Sequence, residues 1–172
     1  MEIKFLDKRL TEFKPATKLA AGYDLRACID KDVWIPPGGQ EKIPTGVSID
    51  MSSIVSGPNN YTSYDNIRFH TCASSDYIGM NMIPCAIIMP RSGLGCKGVK
   101  PRNTPGLIDA DYQGEIIVCL YNEGNDSVHI QPMDRIAQLV FTLAIHPVMQ
   151  QVEEFSNATE RGANGFGSTG KQ

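Results

Sequence analysis

The apolar positions of this chain fall in short runs, many of them alternating with polar ones, and turn-forming residues separate one run from the next. Residues 24–29, 33–35, 43–51, 86–89, 116–121, 128–130 and 135–145 are the strand candidates. Pro36-Pro37-Gly38-Gly39, Glu123-Gly124-Asn125-Asp126 and similar turns punctuate them. The pattern predicts an all-β sandwich or barrel. Helical periodicity is poor, and at most one short helix is expected, near residues 74–77 or just before Ala20. No internal repeat is present.

One stretch stands out from the strand pattern. Gly106-Leu107-Ile108-Asp109-Ala110-Asp111-Tyr112-Gln113-Gly114-Glu115 is a polar loop bracketed by glycines and followed by the β-rich run 116–121. It predicts a hairpin that displays two carboxylates and one phenol. In extended backbone, period-two alternation puts Asp109 and Asp111 on one face and Ile108 and Ala110 on the other, so one face is free for a ligand while the other packs, a plain solvated turn being the alternative. A second stretch, about 52–84, is a polar Ser/Asn/Tyr-rich connector that includes Ser56-Gly57-Pro58-Asn59-Asn60-Tyr61. It is expected to be an inserted surface loop or hairpin, either a docking element for a partner protein or a tolerated extension, since lengthening a loop costs little. His70 and Cys72 within it are too sparse for a metal site.

Composition narrows the class. With 172 residues, 41% hydrophobic and 20% charged, the chain is long enough for one soluble domain with its own core. Residues 1–155 are expected to form the β body. Residues 156–172 are expected to form a mobile C-terminal lid, whose stretch Arg161–Gly170 is too glycine-rich to fold alone. A net charge of −3 without any Lys/Arg run argues against nucleic acid as a partner. Cysteines at 28, 72, 85, 96 and 119 form no CxxC pair and leave one over, which signals neither zinc nor a disulfide framework. Reduced thiols in the cytoplasm are expected. The N-terminus has no signal-type apolar run, and 139–145 is too short to span a bilayer, so no membrane association is expected. No GxxxxGK[ST] phosphate loop occurs, which removes P-loop enzymes from consideration.

Four further stretches carry chemistry: Ala21-Gly22-Tyr23-Asp24-Leu25-Arg26-Ala27, Pro90-Arg91-Ser92-Gly93-Leu94-Gly95, Asp134-Arg135-Ile136-Ala137-Gln138-Leu139, and Arg161-Gly162-Ala163-Asn164-Gly165-Phe166-Gly167-Ser168-Thr169-Gly170. With the central loop, they resemble the five ordered motifs of the trimeric deoxyuridine triphosphatase (dUTPase) family, from about Ala21 to Gly170. Three departures are visible. Met133 stands where that family usually has Gly, Asn164 replaces a tail glycine, and the 52–84 connector is longer than usual.

The resemblance implies a distorted jelly roll and a Mg²⁺-dependent homotrimer that hydrolyses dUTP to dUMP and pyrophosphate. Asp109 would be the general base on the attacking water. Asp24 would meet the metal through water, its alternative being a turn cap. Arg91, Ser92, Gly93 and Gln138 would face the phosphates; for the Arg91 side chain a salt bridge at a subunit interface is the alternative. Tyr112 would be the sugar platform rather than a core tyrosine. Asn103, Gly106, Leu107, Ile108 and Ile117 would line the uracil pocket, with Asp111 a second, supporting acid. Arg161, Phe166, Gly167, Ser168 and Thr169 would close over base and γ-phosphate. His70, His129 and His146 lie outside all five motifs. Two other readings stay open: a regulatory protein using the same scaffold to dock a partner, and a dCTP deaminase.

Overall fold

The structure is a computed structural model, and it describes residues 1–55, 81–146 and 149–163. Ten strands and two one-turn helices follow in order: β1 (Glu2–Phe5), β2 (Gly22–Arg26), β3 (Val33–Ile35), β4 (Gln40–Asp50), α1 (Ser52–Val55), β5 (Asn81–Pro90), α2 (Ser92–Gly95), β6 (Val99–Pro101), β7 (Gly106–Ile108), β8 (Glu115–Asn122), β9 (Val128–Ile130) and β10 (Arg135–His146). Two four-stranded sheets, β1-β4-β8-β6 and β2-β10-β5-β7, enclose the core, and β3 pairs with β9 at one end. Every pairing between named strands is antiparallel. This is a jelly-roll-type β fold.

The alternation seen in the sequence becomes the two faces of each strand. In β8, Ile116, Val118 and Leu120 are buried while Ile117 stands half-exposed between them. Leu25, Ile88 and Leu139 from one sheet meet Ile43, Val47, Ile49, Val99 and the β8 side chains from the other in a single cluster. At about 25 cal/mol per Å² of apolar surface, each such Leu or Ile adds about 2 kcal/mol before conformational entropy is set against it. Bulges adjust the pattern at two places. Register shifts between Pro44 and Ser48 on β4, where Gly46 adopts φ 66°, and between Arg135 and Ala137 on β10.

The structure departs from the sequence reading at three points. Residues 106–121 do not form a hairpin: β7 pairs with β5 and β8 pairs with β4 and β6, so loop 109–114 crosses from one sheet to the other. The cause is the buried side of the loop, because Ala110 is drawn into the core between the sheets and parts the two strands. The stretch before Ala20 is a turn, closed by Ala20 N–H to Thr17 O at 3.1 Å, and Pro15 bridges to Tyr23 in place of a helix. Strands β1, β6 and β7 appear where no hydrophobic run announced them. The other helix candidate at 74–77 and most of the 52–84 connector, with His70 and Cys72, lie outside the described residues.

Candidate active site

The charged motif residues gather on the outer face of the second sheet. Asp24 on β2 pairs across to Gln138 on β10, and Gln138 pairs across to Met89 on β5, one residue before Pro90 and two before Arg91. Simple alternation would have sent Arg135 and Gln138 to opposite faces. The bulge between them turns both Ile136 and Ala137 into the core, so Arg135 and Gln138 share the outer face. Arg91 Nε lies 3.0 Å from Asp24 Oδ1, and Arg135 Nη1 stands 3.4 Å from Asp24 Oδ2, a longer contact. One half-buried carboxylate therefore organises two guanidiniums, one from the N-cap of α2 and one from β10.

Gln138 donates from Nε2 to Pro90 O at 3.0 Å. One partner for this polar side chain is thus found within the chain. Its Oε1 lies so close over Gly22 that any Cβ there would collide with it. Gly22 is what lets the carboxamide lie flat across the β2–β10 pair.

The second motif ends in α2. Arg91 holds the N-cap position with extended backbone, and Gly95 and Cys96 N–H donate back to Arg91 O and Ser92 O at 2.8 and 2.9 Å. Ser92 and Gly93 are exposed at its start. Gly93 has no left-handed φ, and a Cβ there would meet nothing within 4 Å. Neither conformation nor packing within the chain asks for glycine at 93.

The third motif occupies the loop between the sheets. Asp109 and Asp111 are exposed, Ala110 is buried and Ile108 is half-buried, as the alternation predicted. Tyr112 O–H donates to Glu115 O at 2.9 Å, folding its ring back over Gly114, where a Cβ would stand 2.7 Å from the ring's Cζ. One face of the ring is thereby committed to backbone, and the residue remains 44% exposed on the other. Glu115 accepts Gly46 N–H at 2.7 Å, which fastens the β4 bulge to this motif. Asn103 lies over Gly106, its Nδ2 3.2 Å from where a Cβ would be. Leu107 and Ile117, at 60% and 50% exposure, offer apolar surface that no part of the described chain covers. Tyr112 is thus no core tyrosine.

Asp109 lies far from the charged face. Ile108 pairs with Ala86, so Asp109 follows beside Cys85, and burial together with the charge of Asp109 raises the Cys85 thiol above its ordinary range. Cys85 is four positions along β5 from Met89, the partner row of Asp24. Asp24 and Asp109 are thus separated by about 13 Å along the strands and, across β10 and β5 to β7, by about 14 Å, on the order of 20 Å in all. Among the described residues no group of three or more His, Cys, Asp or Glu side chains is placed to hold a metal.

Of the last motif, Arg161 is exposed in a segment, 149–163, that lies on the surface, with Met149 at 84% and Phe155 at 91% exposure. Phe166, Gly167, Ser168 and Thr169 lie outside the described residues. Cys28, Cys85, Cys96 and Cys119 are free. No helix among the described residues is long and apolar enough to cross a membrane. His129 lies away from these motifs, stacked on Trp34 at 4.3 Å and bonded to Asp32 at 2.7 Å. Sequence reasoning missed Gly22, whose need shows only once Gln138 is placed, and the pairing role of Arg135.

Fold and site together define a jelly-roll protein whose acid-bearing chemistry is divided between the two ends of one sheet. The family model for dUTPase matches residues 70–170. The deoxyuridine 5'-triphosphate nucleotidohydrolases of Leptothrix cholodnii and Bordetella avium are 42% and 40% identical to this chain over 174 aligned positions, covering 99% of it and 97% of each of those proteins. In structure, the dUTPase of Staphylococcus bacteriophage 80alpha with dUPNHPP superposes with a TM-score of 0.69 at 23% identity, over 99% of this chain and 98% of that one. A dUTPase from phage phi11 of S. aureus, described with a structural Mg(II) ion, gives 0.62 at 19% identity, over 91% and 98%. The chain belongs to the dUTPase family.

Proposed function

We propose that this protein hydrolyses dUTP to dUMP and pyrophosphate, in a homotrimer whose sites are shared between chains. The observation that carries the reading is the exposed loop that presents Asp109 three residues from Tyr112, whose ring rests on Gly114 and leaves one face open. A deoxyribose packed on that face has no room for a 2′-hydroxyl. Uracil is read by Asn103, Gly106 and the backbone of Leu107, Ile108 and Asp109, with Ile117 alongside. Cytosine is refused because its exchanged donor and acceptor leave buried groups unpaired.

Asp109 takes the proton from a water in line with the leaving pyrophosphate, a role that needs the carboxylate within about 3 Å of that water. Arg91, Ser92, Gly93 and Gln138 hold the phosphates. With Asp24 on the order of 20 Å from Asp109 in one chain, the charged face and the base cannot meet one triphosphate, which supports a site built from two subunits. Arg161, Phe166, Gly167, Ser168 and Thr169 close over the nucleotide from 156–172, the lid of a body spanning 1–155.

Both Asp24 oxygens face guanidiniums, so this carboxylate suits a metal held through water better than direct ligation. Mg²⁺ fits that donor set, since it keeps several waters and is held mainly by substrate phosphates. When bound it neutralises charge on the phosphate oxygens. The free thiols suit a reducing cytoplasm.

The test is turnover of dUTP, dCTP, dTTP and UTP with Mg²⁺ and with EDTA. Pyrophosphate without ammonia, from dUTP far faster than from the others, is expected. Ammonia release from dCTP, or no turnover at all, overturns the reading.

A further inference from the structure

Loop 109–114 has no ladder partner, so its aim must be set by something other than sheet pairing. Apart from Tyr112 O–H to Glu115 O at the start of β8, the hydrogen bonds that reach it among the described residues come from one place, the C-terminal end of β4 and the residue that follows. Ser48 Oγ donates to Gln113 O at 2.8 Å, and Met51 N–H donates to Ala110 O at 3.0 Å. Gln113 Nε2 donates to Asp50 Oδ2 at 2.8 Å. The other oxygen of Asp50 accepts Ser52 N–H at 2.8 Å, and the N-terminal ammonium donates to Ser53 Oγ at 3.0 Å. Bonds from Ser52, and then from Gln113, hold the Asp50 carboxyl below the usual carboxylate range, so it remains an acceptor.

We propose that Asp50 and Gln113 are positioning residues for the general base: their side-chain bond, with the two flanking bonds, fixes where Asp109 points. The proposal rests on the hydrolysis reading above. Two of the three bonds use backbone atoms of the loop and hold its two ends. The Asp50–Gln113 bond alone joins two side chains, and it sits in the open, bordering a cavity of about 240 Å³ formed with Glu2, Ile3, Lys4 and Ser48. It is therefore the fastening a substitution can release without disturbing the core. Neither residue touches substrate; both act through the loop. A displacement of about 1 Å at a reacting group can cost up to ~10²-fold in rate, so loosening one of three bonds is enough to be read in turnover.

The experiment compares Asp50→Ala, Gln113→Ala, the double variant and Asp50→Asn, all as full-length protein. Each alanine variant is expected to lose about 10-fold in kcat while KM moves less than about threefold, the signature of an interaction felt in the transition state. The double variant is expected to be no worse than either single one, because the two side chains form one bond. Asn at 50 still accepts Ser52 N–H, and a turned Gln113 amide can accept from it, so Asp50→Asn is expected to stay within about twofold of the parent.

Hydrogen exchange supplies a readout besides activity. The amides of residues 110–112 should exchange faster in Asp50→Ala and not in Asp50→Asn. Additive losses in the double variant overturn the proposal. So does an Asn variant as slow as the Ala variant, or unchanged kcat in a loop that exchanges faster. If the parent protein itself does not turn over dUTP, the hydrolysis reading fails, and exchange still decides whether this pair fixes the loop.

Discussion

The two parts of the site are built in opposite ways. The charged face of Asp24, Arg91, Arg135 and Gln138 lies on β2, β10 and the residue that follows β5 and is internally matched: the carboxylate has its cations, and the carboxamide has Pro90 O and a glycine beneath it. The Asp109 loop lies between sheets, bears exposed Leu107, Tyr112 and Ile117, and owes its position to residues far away in sequence. The side chains of the first part are partnered within the chain. The second is unfinished surface. In one chain, then, the paired charges and the bare apolar side chain of Leu107 stand toward opposite edges of the same sheet.

Removing the base is the strongest way to break this comparison. Asp109→Asn should keep nucleotide binding and lose at least ~10²-fold in turnover, read by steady-state kinetics and equilibrium binding. Next, the division between ends can be tested by mixing. Trimers assembled at equal ratio from Asp24→Asn and Asp109→Asn chains should regain activity in about one quarter of their sites, because one chain supplies the intact face and its neighbour the intact base. Mixtures as inactive as the parents, with co-assembly confirmed by native mass spectrometry, would show that both parts serve one site within a chain.

A smaller effect separates ligand from fold. Gly93→Ala should melt at the parent temperature, since the added methyl points into open space, and yet lose at least ~10-fold in kcat/KM on the proposed reading that Gly93 faces the phosphates. The smallest effect concerns Met133, which adopts φ 67° in the turn opened by Gln131 and Pro132. Its N–H donates to Ala27 O at 2.7 Å and its carbonyl accepts Arg26 Nη1 at 3.0 Å, so the turn is held although the residue is not glycine. Met133→Gly should raise stability by about 1 kcal/mol in chemical denaturation without altering turnover.

Local composition carried far in this sequence. Strands such as 33–35 and 128–130 were visible because burial on one face writes an alternation into neighbouring residues. The motif residues were visible because their glycines, aspartates and arginines recur in the order of a known family. Met133 was legible too, as a side chain where the family has glycine, although its cost was not. What remained hidden depends on residues far apart. Strand β1, Glu2-Ile3-Lys4-Phe5, is exposed throughout and carries no pattern; it exists because β4 offers it an edge. The choice of β5 over β8 as partner of β7 cannot be read from β7. Arg135 and Gln138 share a face only because of a bulge, which strict alternation cannot foresee. Asp50 and Gln113 are 63 residues apart, and nothing local in either joins them.

Ala110 gives the loop one more property. Its side chain is only 9% exposed and packs with the common core, while its neighbours on both sides are the exposed Asp109 and Asp111. The presumed freedom of a surface loop to vary is therefore denied to this one. A methyl group added at 110, or a cavity opened under Met51 or Ile88, would be transmitted to Asp109 across a single residue of backbone, because a close-packed interior passes strain on where a fluid would absorb it. Random substitution in this core should thus yield many chains that fold, assemble and still turn over poorly. With Asp109 as the proposed base, the interior's tolerance for mutation is set by the aim of one carboxylate before it is set by the melting of the domain.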